Sequence, residues 1–271
     1  MTGATLVLVV HSLRRIRGVL FGLGLILAAF QFLLTQVASY LARQSAFSLL
    51  SALIPDFVRT AAGPSALAVM SFSGVVGLGY FHPIVLAALV TLMITIASEP
   101  AAEVEARFVD LTLSRPLTRA DIVARTVVVL IVAAASMLAL MMAGTWTGLS
   151  CCVPADVERP SIGLVLSLAA SLGAVLLCWA GVTLALAAGA RRRAVAGAEA
   201  GALALTAYLL DYLGRAWEPA SGVSRLSPFH YYEPMTMIFG GSLNARHIAV
   251  LLTIALGGAA IGIVTFARRD V

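Results

Sequence analysis

The chain has 271 residues, of which 61% are hydrophobic and 11% charged, with a net charge of +5 and a mean hydropathy of +0.99. A soluble domain carries roughly 25% charged residues, so there is too little polarity here to clothe a water-facing surface, and a soluble fold is excluded. All 18 cations are arginines set in small groups beside apolar stretches, which is the pattern of membrane topology signals and not of a nucleic-acid partner.

Residues Thr5 to Ile16 begin apolar and end basic, and are expected to form an amphipathic helix at the bilayer interface. Arg14, Arg15 and Arg17 precede an apolar run from Gly18 to Tyr40 that is too long for a signal-peptide core. This run is the first predicted span, with the N-terminus cytoplasmic. Gln31 and Thr35 lie one turn apart near its outer end; they either line a substrate path or hydrogen-bond between packed helices.

Residues 42–64 turn polar and helix-breaking, with Arg43, Pro55, Asp56, Arg59, Gly63 and Pro64. They read as an external segment. Ser65 to Phe81 is apolar but rich in Ser and Gly and barely long enough to cross. A separate crossing there would export the later arginine groups, so 65–81 is expected to be a re-entrant or interfacial helix on the outer face.

The remaining spans are expected at about 83–98, 122–146, 161–189, 194–213 and 247–266. The fold class is an all-α polytopic membrane protein of six spans forming one permease domain. Twelve of the eighteen arginines fall in segments this places inside and six in those it places outside, as the positive-inside rule requires with both termini cytoplasmic. GxxxG pairs at Gly18/Gly22, Gly197/Gly201 and Gly258/Gly262 mark sites for close helix packing.

No catalytic constellation appears. A phosphate-cradling G-x-x-x-x-G-K-[ST] loop needs a lysine and the chain has none. Its four histidines contain no i,i+4 pair, and His82 and His230 read as interfacial or hydrogen-bonded residues. Cys151, Cys152 and Cys178 are an odd set that supports no disulfide framework; the adjacent pair is read as small apolar filling over a soft-metal or redox site. Charges inside the spans are scarce, with Glu199 and Asp211 near the ends of span 5. Ion-driven pumps place acids or bases there, so energy is expected from a partner.

The stretch from Glu99 to Arg125 is the longest strongly charged run. Pro100 should end span 2 near Ser98–Glu99 and sit in the first turn of a new helix. From Ala101 to Leu113, Val104, Phe108 and Leu111 share one face while Glu103, Arg107, Asp110 and Ser114 share another. Glu103 and Asp110 are each spaced to pair with Arg107 along that polar face. Arg115-Pro116 stops the helix, and Thr118-x-x-Asp121 reads as a capping box opening span 3. The helix either docks on a partner or is an ordinary interfacial connector.

This region resembles permeases of type 2 ABC transporters. Their span 2 and following loop read "HP, apolar run, GE-x-E-x-G-T-L-D-L-L-L-S-x-P-x-x-R". The chain has His82-Pro83, Glu103-Val104-Glu105, Asp110-Leu111 and Leu113-Ser114-Arg115-Pro116-Leu117-Thr118-Arg119. It departs at Arg107, Phe108 and Thr112, where the family has Gly, Thr and Leu. Leu226 to Pro234 is similar to the family's "lSPFhYydP", and Phe266 to Asp270 to its terminal segment.

The resemblance implies a dimer, formed with a second copy or a related permease, above two ABC ATPase subunits that carry ATP and Mg. The chain itself would hold no cofactor. Glu103, Glu105, Arg107, Asp110, Arg115 and Arg119 would form the coupling helix surface, with Arg191 to Arg193 as a smaller contact. Residues 214–245 would form short external helices, with Pro228, Phe229, His230, Tyr231 and Tyr232 as an outer gate. Gln31, Thr35, Met141, Met142, Trp146 and Trp179 are the candidate path lining, and their apolar character favours a hydrophobic cargo. The expected function is export across the bacterial cytoplasmic membrane. The alternative is a mechanical transmitter acting on an extracytoplasmic partner without solute transport.

Overall fold

The structure, a computed structural model, describes residues 3–44, 47, 71–106, 119–153, 157 and 159–268. Among these residues every regular element is helical. The chain enters through α1 (Gly3–Arg43), followed by α2 (Phe72–Phe81), α3 (Pro83–Ala97) and the short α4 (Glu99–Glu105). The long α5 (Arg119–Cys152), α6 (Ile162–Gly189) and α7 (Arg193–Ala216) come next. Two short helices, α8 (Ser221–Ser224) and α9 (Pro234–Ile238), lead into α10 (Ala245–Ala267). Six of these segments are long and apolar enough to cross a membrane: α1, α2 with α3, α5, α6, α7 and α10.

α1 corrects one expectation. No separate interfacial helix covers Thr5–Ile16, because the same helix runs unbroken to Arg43. No proline occurs before Pro55, and its glycines are tolerated in apolar helices. Its 41 residues extend about 60 Å at 1.5 Å per residue, roughly twice the hydrocarbon thickness.

The second correction concerns residues 65–81. Of these, 65–70 lie outside the described residues, and Phe72–Phe81 does not fold back as an outer hairpin. The residue before a proline is steered out of the helical region, and His82 accordingly takes φ −60°, ψ 128°. The break is nearly seamless. The His82 amide donates to the Leu78 carbonyl at 2.7 Å, and Leu86 N–H donates to the His82 carbonyl at 3.0 Å. His82 Nδ1 accepts from Ile84 N–H at 3.3 Å and so caps α3.

Contacts along α1 show that α2 and α3 descend together. Val76 packs with Ala38, Gly79 abuts Gln31, His82 meets Phe30 edge-on at 5.9 Å, and Glu99 reaches Arg15. The two helices are one kinked crossing. The arginine argument excludes only a separate crossing at 65–81, so it stands.

Small residues set the closest approaches. A Cβ at Gly144 would overlap the Ala28 carbonyl, and one at Gly181 would overlap that of Ala255. The pair Gly258/Gly262 packs on Gly181 and Leu184, whereas the pairs Gly18/Gly22 and Gly197/Gly201 face open space. Cys151 and Cys152 are joined to each other at the end of α5. A disulfide between sequence neighbours closes no loop, so it adds no framework.

Candidate functional site

The described beginning of the charged stretch, Glu99–Ala106, forms a clamp at one end of the bundle. α3 stops at Ala97, and α4 restarts after Ser98 with Pro100 in its first turn, as the proline dictates. α4 then crosses the ends of four long helices. Its apolar side holds Pro100, Ala101 and Val104, with Ala101 fully buried against Ala187 of α6 and Ala196 of α7 and Val104 packed against the main core.

Its acidic residues turn toward their own chain. Glu99 bridges Arg15 of α1 at 2.6 Å and Arg193 of α7 at 3.6 Å. Glu103 pairs at 2.7 Å with Arg125 of α5, whose side chain is only 7% exposed. Glu105 Oε2 accepts from the Arg193 backbone N–H at 3.0 Å, and the Arg193 side chain donates to the Thr95 carbonyl at 2.9 Å. Two helical turns are thereby tied by charge to α1, α5 and α7 and by packing to α6.

The outward polar face expected for Glu103 is therefore corrected. A buried guanidinium needs a carboxylate more than a solvated one does, and Arg125 supplies that need. Glu105 is exposed but also engaged. Arg107, Asp110 and Arg115, with the Pro116 stop and Thr118 cap, lie outside the described residues, as do Pro154, Asp156, Glu158, Arg269 and Asp270. Arg119 begins α5.

At the opposite end, residues 217–244 form a cap. Ser227 initiates a tight turn over Pro228–Tyr231: its hydroxyl accepts from Phe229 N–H at 3.1 Å and donates to the Ala207 carbonyl of α7 at 2.8 Å. Phe229 is driven inward, stacked on Trp179 at 5.5 Å and edge-on to Tyr208 at 5.6 Å. The Tyr232 hydroxyl donates to the Tyr80 carbonyl at 2.6 Å, which fastens the cap to the kinked crossing. Burial pushes the Tyr232 phenol well above its usual range, so it stays a donor at any working pH.

Around the cap, Arg215 binds Asp211 at 2.8 Å and reaches the carbonyls of Phe229 and Tyr232. His230 lies 3.2 Å from the Ser224 hydroxyl and 3.8 Å from Asp211. Tyr231 meets His247 edge-on, and His247 stands 3.6 Å from Glu233. His82 and His230 thus serve as hydrogen-bonding residues. Among the described residues no group of His, Cys, Asp and Glu is placed to hold a metal ion.

Between the two ends, α3 presents an exposed strip of Ile84, Ala87, Thr91 and Thr95. Beside it, α3 and α7 line an open apolar cleft of about 380 Å³, with Ile84, Val90, Leu205 and Tyr208 along it and Phe229 at its cap end. Helical spacing in the sequence shows that such a strip exists. It does not show that α7 opposes it.

Over residues 9–267 the chain matches the family described as multidrug efflux system permease Rv1217c, C-terminal domain. The chain belongs to that family. No curated protein and no solved structure matches it. Six apolar crossings and this membership make the chain a transmembrane permease of an efflux transporter.

Within this permease the residues chosen as path lining do not converge. Gln31 and Thr35 are fully buried in the α1–α2–α5 contact. A Cβ at Gly79 would overlap Gln31, and one at Gly148 would lie 2.7 Å from Thr35. Thr35 donates to the Gln31 carbonyl one turn back in the same helix at 2.9 Å. Among the described residues the buried Gln31 amide has no hydrogen-bond partner, so the two residues pack between helices without a hydrogen bond across them. Met141 is also fully buried, whereas Met142 is half-buried and Trp146 faces outward. Trp179 alone meets the cleft region, through Phe229. The expected gate residues Pro228, Phe229, His230, Tyr231 and Tyr232 do fall together, in one turn at the cap.

Proposed function

We propose that the chain is the membrane subunit of an ATP-driven exporter, with the clamp at α4 receiving work from a separate ATPase and the α3–α7 cleft taking a lipophilic cargo. The observation that carries this reading is the set of charge contacts holding α4. A connector that only joined α3 to α5 would have no need of ion pairs to two further helices, α1 and α7. Because Glu99, Glu103 and Glu105 grip α1, α5 and α7, a push on α4 moves those helices together. Chain atoms with no ATP-binding lysine can respond to nucleotide only through such a part.

The efflux activity in the family's description fits a cleft that is nearly all apolar and of drug-like size. In the cell, the arginine-rich end with Arg14, Arg15, Arg17 and Arg191 to Arg193 is assigned to the cytoplasm, which puts α4 beside the ATPase and the Phe229 cap outside. The ATPase supplies ATP and Mg sites, two per complex. A second permease copy or a related permease completes the transporter.

Charge reversal tests the docking surface, and the internal pairs dictate which residues to use. Glu103 is unsuitable because its loss would disrupt the clamp itself. Reversing Arg107 and Asp110 together is expected to reduce permease-stimulated ATP turnover by at least fivefold. The melting temperature of the permease should stay within a few degrees of the parent. Unchanged stimulation in that double variant would remove the coupling role from this segment.

A further inference from the structure

We propose that Glu199 is an inter-subunit contact, pairing with Arg17 of a second copy of this chain, with the reciprocal pair formed by two-fold symmetry. The proposal rests on the permease reading only in placing α7 within lipid. Glu199 lies six residues beyond Arg193, about 9 Å along the helix, and it is exposed on a crossing helix between Val195 and Leu203, themselves about half exposed. Among the described residues it has no ion-pair partner. A carboxylate directed at hydrocarbon is costly, and intramembrane charges meet a partner or a wet cavity.

Among the described residues, no arginine of its own chain pairs with it. Arg15, Arg125, Arg193 and Arg215 are already paired. Arg192 shares the face of Glu199 but sits seven residues back at the helix cap, about 10 Å along the axis. Arg17 is the cation lying furthest along α1 in its basic group. It is exposed and unpaired among the described residues. Glu99 bridges both Arg15 and Arg193 and so aligns the ends of α1 and α7. From that level Arg17 lies about 3 Å and Glu199 about 9 Å along their helices, an offset of about 6 Å that the long arginine side chain spans.

The surface around Arg17 is built for helix approach. Gly18 and Gly22 have nothing within 4 Å of a Cβ position, and Val19 and Phe21 are 60% and 72% exposed. Exposed small residues allow backbones to come close in a bilayer. One face therefore offers a cation and the other an anion. Glu99 holds the ends of α1 and α7 near one another, so with the two-fold axis on that side Arg17 of each copy meets Glu199 of the other, a self-complementary contact that closes at two subunits.

The test uses the full chain in native membranes, with Cys151, Cys152 and Cys178 replaced by alanine. One tagged copy carries Arg17→Cys and a differently tagged copy carries Glu199→Cys. Oxidation should give a cross-linked species containing both tags. Arg17→Glu and Glu199→Arg should each lower the doubly tagged fraction at least fivefold in co-purification, and the two together in one chain should restore it. The proposal is overturned if each cysteine reacts with maleimide yet no doubly tagged product forms. It is equally overturned if the cysteines cross-link only to a different polypeptide, or if the charge swap restores nothing. ATPase co-purification is read separately, so a failed coupling role and a failed subunit contact remain distinct.

Discussion

Arg125→Ala is expected to destabilise the permease by about 3 kcal/mol, the scale for stranding one half of a buried ion pair. Arg125 is 7% exposed and its Glu103 partner 19%, so the carboxylate left behind is only partly hydrated and, among the described residues, has no second cation. Thermal unfolding in detergent, followed by tryptophan fluorescence, reads the loss as a lower melting temperature. Replacing both partners with apolar residues, Arg125→Met with Glu103→Leu, should recover most of the stability, because desolvation of two charges is then no longer required. That double variant should still couple poorly, because α4 has lost its tie to α5. A single variant that melts like the parent would show that the pair does not hold the clamp.

Adjacent glycines should differ sharply. A Cβ at Gly258 would overlap the Gly181 backbone, whereas one at Gly257 meets nothing within 4 Å. Gly258→Leu is expected to separate α10 from α6, at a cost of about 3 kcal/mol or more since backbone and not a flexible side chain stands in the way. Gly257→Leu points away and should be neutral or slightly stabilising, by up to about 1 kcal/mol of helix propensity. Size-exclusion profile and melting temperature distinguish them. Similar losses in both variants would contradict the α6–α10 packing.

Much of this architecture was legible in the residues. Pro100 announced the end of α3 and the start of α4, and the apolar runs announced the crossings. Two boundaries were misread for a common reason: helix breaks and helix directions are different things. The arginines before Gly18 suggested a break, but nothing there stops a helix. Pro83 does stop one, yet the backbone resumes within a residue and the axis keeps descending, so 72–97 makes one crossing.

Partners across space were harder to foresee. Helical spacing puts Glu103 on a polar face with Arg107, but it cannot report that Arg125, twenty-two positions on, stands opposite. Gln31 and Thr35 are polar in an apolar span, and polarity there fits a pathway or an interface equally well. Gly79 and Gly148, on other helices, are what bring both residues into close helix contact. The cap was recognisable because Leu226–Pro234 carries its own turn chemistry in Ser227 and Pro228, while the open cleft beside it depends on α3 meeting α7.

Photo-cross-linking from Ala106 and Asp110 in native membranes tests the central claim most directly. A photoreactive residue at either position should capture a separate polypeptide that binds nucleotide, identified by mass spectrometry, with capture altered by trapping ATP. Capture of lipid alone, in a complex still exporting substrate, would contradict the account.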